Sequence, residues 1–551
     1  MVTLIAGAAA ADPLDDLSRE FWVWRAIYQP STADDIPRIE RPTGWVPDWS
    51  PTSVGARRSA LREFDRRWRA MDATRWPVAR QVDYRLAGSA IGRVRWELEV
   101  APAWRRDPQF YIQQALGPVF DLLLQPPPFT AARADAIVRR LGHASRVLEH
   151  ARVNLDDARQ PFARLAIATM SDIETRLSTL ATELDSALPP SHRGQLAAPA
   201  ASATRAFVEY RTWLESRLPG LRVETAVGRE HYLTFLRDVA LVPFSPEELL
   251  AMGRQEWERA VAFEALEQQR NRALPPMPIF PDQGAQVAKS ASDEAAIRAF
   301  LEANDLLTVP AGTRHYLNLP LPAYMAPLAF LGVTDDLTSE TRLTEDGYSY
   351  IRVPSPDLPY FYLSTARDPR PIIVHEGVPG HYLQLALSWA HENAIRRRYY
   401  DSGANEGIGF YAEEMMLQAG LWADSPRSRE IIYNFARLRA LRVEVDVRLA
   451  IGEFTIEQAA DYLEKTVPMD RATALEEAAS FAAGPGQAIT YQIGKLQIVS
   501  MLADARRQQG AAFSLRAFHD FVWKNGNVPL SLQRWELLGD AREVERLEKL
   551  K

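Results

Sequence analysis

Along most of the chain, apolar residues recur every three to four positions, the period of an amphipathic helix. In 59–74, Leu61, Phe64, Trp68 and Met71 fall on one face. Residues 131–184 read as two or three long helices, started by Thr130 as N-cap after Pro126-Pro127-Pro128. Another helix is expected over 200–218, and a long one from Ser245-Pro246 to Arg272. There proline sits at the first turn and Glu248 near the positive dipole end. From Pro371 the period holds almost to the end, giving helices at about 375–392, 405–421, 428–451, 456–465, 472–482, 491–508 and 515–523. A shorter helix is expected near 293–306.

Two stretches break the period. Residues 13–49 are aromatic and proline-rich and are expected to pack without regular structure. Between 310 and 365, Tyr348, Tyr350, Ile351 and Val353 follow an Asp346-Gly347 turn, and Phe361, Tyr362 and Leu363 follow a proline-rich loop. These predict a small antiparallel sheet of two to four strands. The fold class expected is mainly α, with that sheet next to the helix at 375.

A length of 551 residues predicts two or three lobes. Four prolines between 271 and 286 mark the boundary between an N-terminal helical lobe, 13–270, and a C-terminal lobe, 287–551. A net charge of −7 implies no strongly basic face, which argues against nucleic acid as partner. With no cysteine, thiol nucleophiles, Cys-ligated zinc and disulfides are all excluded. Residues 1–12 begin small and apolar and read as the remnant of a secretory signal without its basic region. Export to the periplasm or medium is the reading that follows, with a frayed start of a cytoplasmic protein as the alternative. Elsewhere no stretch approaches the ~20 apolar residues of a membrane span.

The chemistry gathers at His375-Glu376-Gly377-Val378-Pro379-Gly380-His381, with Glu406 25 residues beyond the second histidine. Two imidazoles and a carboxylate can make a three-ligand zinc site with an open position. A glutamate directly after the first histidine is where a metallohydrolase keeps its general base. The spacing is an obstacle. Histidines at i and i+4 lie about 40° apart on a helix, whereas i and i+6 lie about 120° apart and cannot converge on one ion. Pro379 would clash with the His375 carbonyl, and Gly380 tolerates unusual dihedrals, so a two-residue bulge is expected to return His381 to the His375 face. The plain alternative is a helix that ends at Val378 and restarts, leaving two satisfied histidines. Glu406 and Glu413 share a helical face among Phe410, Tyr411, Met415 and Met416, where a buried acid pair without a partner is costly. Gly407 and Gly409 predict close approach by another element.

The texts HEGVPGHYLQ, EGIGFYAE, RALRVEVD and PGQAITYQIG, in that order, resemble the signatures of the bacterial domain-of-unknown-function family numbered 885. That family is in turn similar to gluzincin peptidases with two residues inserted in their HExxH. The resemblance is strong over 371–494 and reaches the N-terminal half through helical layout and VGREHY. It implies His375, His381 and Glu406 as ligands of one zinc ion per chain, Glu376 as base and Tyr491 as oxyanion donor. Gln384, Glu413, Asp446, Arg442 and Lys495 are candidates for groups that support the site or touch substrate, and Arg439 joins Arg442 as a candidate carboxylate clamp. Each also reads as ordinary packing or an internal ion pair. Ala450 stands where relatives tend to carry histidine, and Ser480-Phe481 where they carry Arg-Tyr, which implies altered specificity or lost activity. The function expected is a zinc peptidase on short peptides in an interlobe cleft. The alternatives are a zinc amidohydrolase on another amide and a catalytically silent helical binding protein.

Overall fold

The computed structural model describes residues 12–33, 38–467 and 469–550. The leader reading at 1–12 therefore lies outside it except for Asp12, which caps the first helix. The chain is mainly helical, with one three-stranded sheet. From 402 onward the expected helices stand within a few residues of expectation: Ser402–Ala419, Pro426–Ile451, Ile456–Thr466, Arg471–Ala483, Thr490–Gln509 and Leu515–Lys524. Thr130 caps its helix through Arg133 N, and Ser245 and Glu248 form a reciprocal capping box.

Three expectations change. Residues 13–49 are not irregular throughout, because Pro13–Tyr28 is a helix. Asp12 caps it, proline opens it, and Leu14, Leu17, Phe21 and Arg25 are buried along one face, so the helical spacing was present beneath the aromatic composition. The sheet is mixed rather than antiparallel. Strand β1 (Tyr316–Pro320) pairs in parallel with β3 (Gly347–Ile351), and the short β2 (Asp335–Asp336) pairs antiparallel with β3's other edge. Val353 lies past the end of β3. Residues 361–363 belong to a helix, Tyr360–Thr365, that starts after Pro359 and packs Tyr360 and Phe361 on Phe435.

The site is held by two long-range devices. The helix Pro246–Arg270 lies along Pro426–Ile451, and Ser402–Ala419 lies along Thr490–Gln509. The second pair meets where a Cβ on Gly407 would stand 2.7 Å from the Gly494 Cα, so the backbones touch as the glycines predicted. Behind the His-Glu segment, Val374, Val378, Leu383, Ile408 and Met416 form a fully buried apolar bed. Each such side chain contributes about 1.5–3 kcal/mol by leaving water, so the segment is fixed by packing on its rear.

Candidate metal centre

The segment carrying the histidines is not one helix. Ile373–Gly377 is a single π-helical turn, Val378 is extended, the Val378-Pro379 peptide is cis, and a new helix runs His381–Trp389. Instead of a bulge that rejoins the same helix, the chain breaks and restarts. The effect on the histidines is the one the bulge was to supply, since their ring centroids stand 4.7 Å apart. Gly380 is required by contact: a Cβ there would lie 1.7 Å from the His375 carbonyl oxygen. Trp523 donates its indole N–H to the Pro379 carbonyl at 2.6 Å and pins the connection from behind.

Glu406 faces both rings. Its Oε2 lies 3.3 Å from His375 Nε2 and 3.2 Å from His381 Nε2, and all three residues are buried. Ligand bonds of about 2.0–2.1 Å in a tetrahedron place neighbouring donor atoms about 3.4 Å apart. The trio therefore fits a dication. Burial opposes ionisation of Glu406, but the two imidazoles hold its carboxyl well below the usual range. Gly409 supplies the floor, since a Cβ there would stand 2.9 Å from His381 Cε1 and 3.1 Å from His375 Cε1.

His375 is aimed by its other nitrogen. Nδ1 lies 2.7 Å from Glu413 Oε1, and Glu413 is held by Arg439 at 2.9 Å. A proton on Nδ1 leaves Nε2 as a lone pair toward Glu406, the arrangement metal-ligating histidines adopt. Glu376 projects beside the trio, 3.8 Å from His381 Nε2. Burial, reinforced by Asp335 and Glu406 and opposed by His381, pushes its carboxyl up to about 8.

The remaining candidates divide. Tyr491 stacks on His375 with centroids 6.1 Å apart and carries the Arg442 guanidinium 4.9 Å over its ring. Arg442 is paired with Glu477 through two nitrogens, and Arg439 is spent on Glu413. Asp446 accepts from the backbone N–H groups of Gly486, Ala488 and Ile489, clamping the turn that leads into the Tyr491 helix. Gln384 is fully buried, bonded to Ser388 and Asn405 one position before Glu406. Lys495 is not brought to Asp446; it pairs with Glu256 and Glu414. Ala450 is buried in an apolar cluster.

His375, Glu376, Tyr491 and Arg442 line a cavity of about 1850 Å³ that Trp22 and Trp96 also line. Ser480 and Phe481 line it as well. Trp523, Tyr316 and Asp335 were not singled out as site groups from sequence, and Arg439, read as a substrate clamp, is instead paired with Glu413.

No curated protein matches the sequence. Two solved structures, each described as a putative lipoprotein, share the fold. That from Shewanella oneidensis, of unknown function, is 15% identical with a TM-score of 0.72, covering 96% of this chain and 100% of its own. That from Colwellia psychrerythraea is 15% identical at the same TM-score, covering 97% and 99%. The model of the family described as "Bacterial protein of unknown function (DUF885)" matches residues 38–537. Since that match takes in both the helical first half and the His-Glu segment, the chain belongs to this family.

Proposed function

We propose that the protein is a zinc-dependent hydrolase of peptide bonds. The observation that carries the reading is the buried trio itself, with Glu406 Oε2 3.2–3.3 Å from the Nε2 atoms of His375 and His381. His375, His381 and Glu406 would hold one zinc ion, which supplies Lewis acidity toward a carbonyl oxygen and acidifies a water. Glu376, whose buried carboxyl is pushed up to about 8, would take a proton from water as general base and pass it to the leaving amine. Tyr491 lines the same cavity and would donate to the oxygen that gains negative charge, a contact worth about 3 kcal/mol where such donors have been removed. Glu413 and Arg439 hold the His375 tautomer, and Asp446 fixes the turn before Tyr491. Arg442 is committed to Glu477 and orients Tyr491 in place of clamping a carboxylate.

The cavity supports the substrate class. At about 1850 Å³ it exceeds the roughly 300–1,000 Å³ of ordinary small-molecule pockets, which suits a short peptide better than a compact amide. The lipoprotein description of both similar structures supports a place in the cell envelope. The test is a peptide-library digest read by mass spectrometry with and without chelator, alongside metal analysis. Cleavage that chelator abolishes and Glu376→Gln removes, with zinc retained in the variant, is expected. Zinc-loaded protein that cleaves nothing would overturn the reading in favour of a silent binding protein.

A further inference from the structure

The three strands place three polar residues in one row. Asn318 on β1 and Asp335 on β2 are both register partners of Ser349 on β3. Residues opposite one another in a sheet project to the same face. All three are buried, at 5%, 8% and 9% exposure, and all three line the cavity that holds His375 and Glu376. A polar row inside a protein is costly unless satisfied. Here Asn318 Oδ1 has no hydrogen-bond partner. The Asp335 carboxylate accepts from the Tyr316 hydroxyl at 3.0 Å and from Ser349. No arginine or lysine forms an ion pair with it among the described residues. Arg38, whose charge reaches Asp335, is engaged by the Val333 carbonyl at 3.1 Å and by Asp121 at 3.6 Å. The row thus offers the cavity an unsatisfied acceptor and a buried carboxyl group with no ion-pair partner among the described residues. The ligand chemistry that satisfies both is a compact cation with several N–H donors.

The row is also tied to the metal centre. Tyr316 links them: its ring lies on Gly377, where a Cβ would meet Tyr316 Cδ1 at 2.4 Å, and its hydroxyl reaches Asp335. The separation is about one tyrosine side chain, which an extended peptide spans in about two residues.

We infer that Asn318, Ser349 and Asp335 form a subsite for a primary ammonium group of the substrate, close to the bond that is cut. The inference rests on the peptidase reading for its position, but its chemistry is testable by binding. An ammonium can come from a free N-terminus or from a lysine side chain, and the probes separate the two. Trialanine, N-acetyl-trialanine and N-acetyl-alanyl-lysyl-alanine are titrated calorimetrically into the zinc-loaded Glu376→Gln chain, then into the same chain carrying Asp335→Asn or Asn318→Ala. Trialanine is expected to bind about tenfold or more tighter than its acetylated form, a charge-assisted hydrogen bond's worth, with the preference lost in Asp335→Asn and reduced in Asn318→Ala. Asp335→Asn keeps the side chain's shape; Asn318→Ala covers the case in which it fails to fold. Recovery by the lysyl peptide assigns the site to a side-chain ammonium; no recovery assigns it to the N-terminus. Equal binding of acetylated and free trialanine, no binding of trialanine, or an unchanged preference in both variants overturns the inference. Hydrolysis by the wild-type chain is scored separately: cleavage without an amine preference sinks the subsite alone, and amine-selective binding without cleavage sinks the peptidase reading alone.

Discussion

At the scale of single residues, the centre depends on groups that touch no substrate. Glu413 decides which nitrogen of His375 is free, because its carboxylate lies 2.7 Å from Nδ1. Replacing it removes the acceptor and leaves Arg439 buried without its partner. Glu413→Ala is expected to lower zinc affinity roughly 10–100-fold, as loss of such supporting partners does elsewhere. Competition against a chelating dye measures it, and unchanged affinity would show that His375 is aimed by packing alone. Gly409 is more stringent. A methyl group there would press on both imidazoles at about 3 Å, and the rings are backed by the buried apolar bed. Gly409→Ala should abolish stoichiometric zinc binding while far-ultraviolet circular dichroism stays helical. A variant that still carries one zinc per chain would mean that the rings can retreat.

At the scale of elements, the connection Val378–Gly380 is the part whose shape was hardest to read. Spacing alone showed that a regular helix would separate His375 from His381, and Pro379-Gly380 showed where regularity had to end. What one dimension could not show was that the chain would break outright. The reasons lie far along the sequence: Trp523 holds the Pro379 carbonyl, and the His375 carbonyl itself sits against Gly380. Glu406 and Glu413 were legible because their spacing and apolar neighbours are local. Tyr316 and Asp335 were not, because strand register joins them to the site and register is not written in composition. The parallel pairing of β1 with β3 was hidden for the same reason, whereas the helix at Pro13–Tyr28 was masked only by aromatic and proline content around it. Gly380→Ala tests the element. The Cβ would overlap a backbone oxygen that cannot move without displacing His375, so a loss of about 3 kcal/mol or more is expected, read by chemical denaturation of the metal-free chain. A loss under about 1 kcal/mol would place the rigidity elsewhere.

At the scale of the whole molecule, stability should fall as pH rises from acid toward neutrality in the part that buried aspartates control. Asp107 caps the helix Pro108–Leu124 through Gln109 N at 2.8 Å, and burial pushes its carboxyl up to about 7 despite that bond. Asp401 caps the Glu406 helix and is pushed up to about 6 by the same cause. In the unfolded chain both titrate near 3.8. Below about pH 4 each is neutral folded or unfolded, and its contribution is fully present. As pH climbs through 4 to 7 the unfolded chain ionises while the folded chain resists, so the contribution is lost. Asparagine caps a helix as well as aspartate does, so Asp107→Asn keeps the bond to Gln109 and removes the titration. Relative to the wild type, this variant should gain about 2–4 kcal/mol between pH 4.5 and 8, an amount set by the difference between the two carboxyl affinities. Urea denaturation of metal-free protein at the two pH values measures it away from the candidate metal centre. A difference that does not change with pH would mean that Asp107 is ionised in the folded chain across the range, its charge held by the two backbone N–H groups at the helix start in spite of burial.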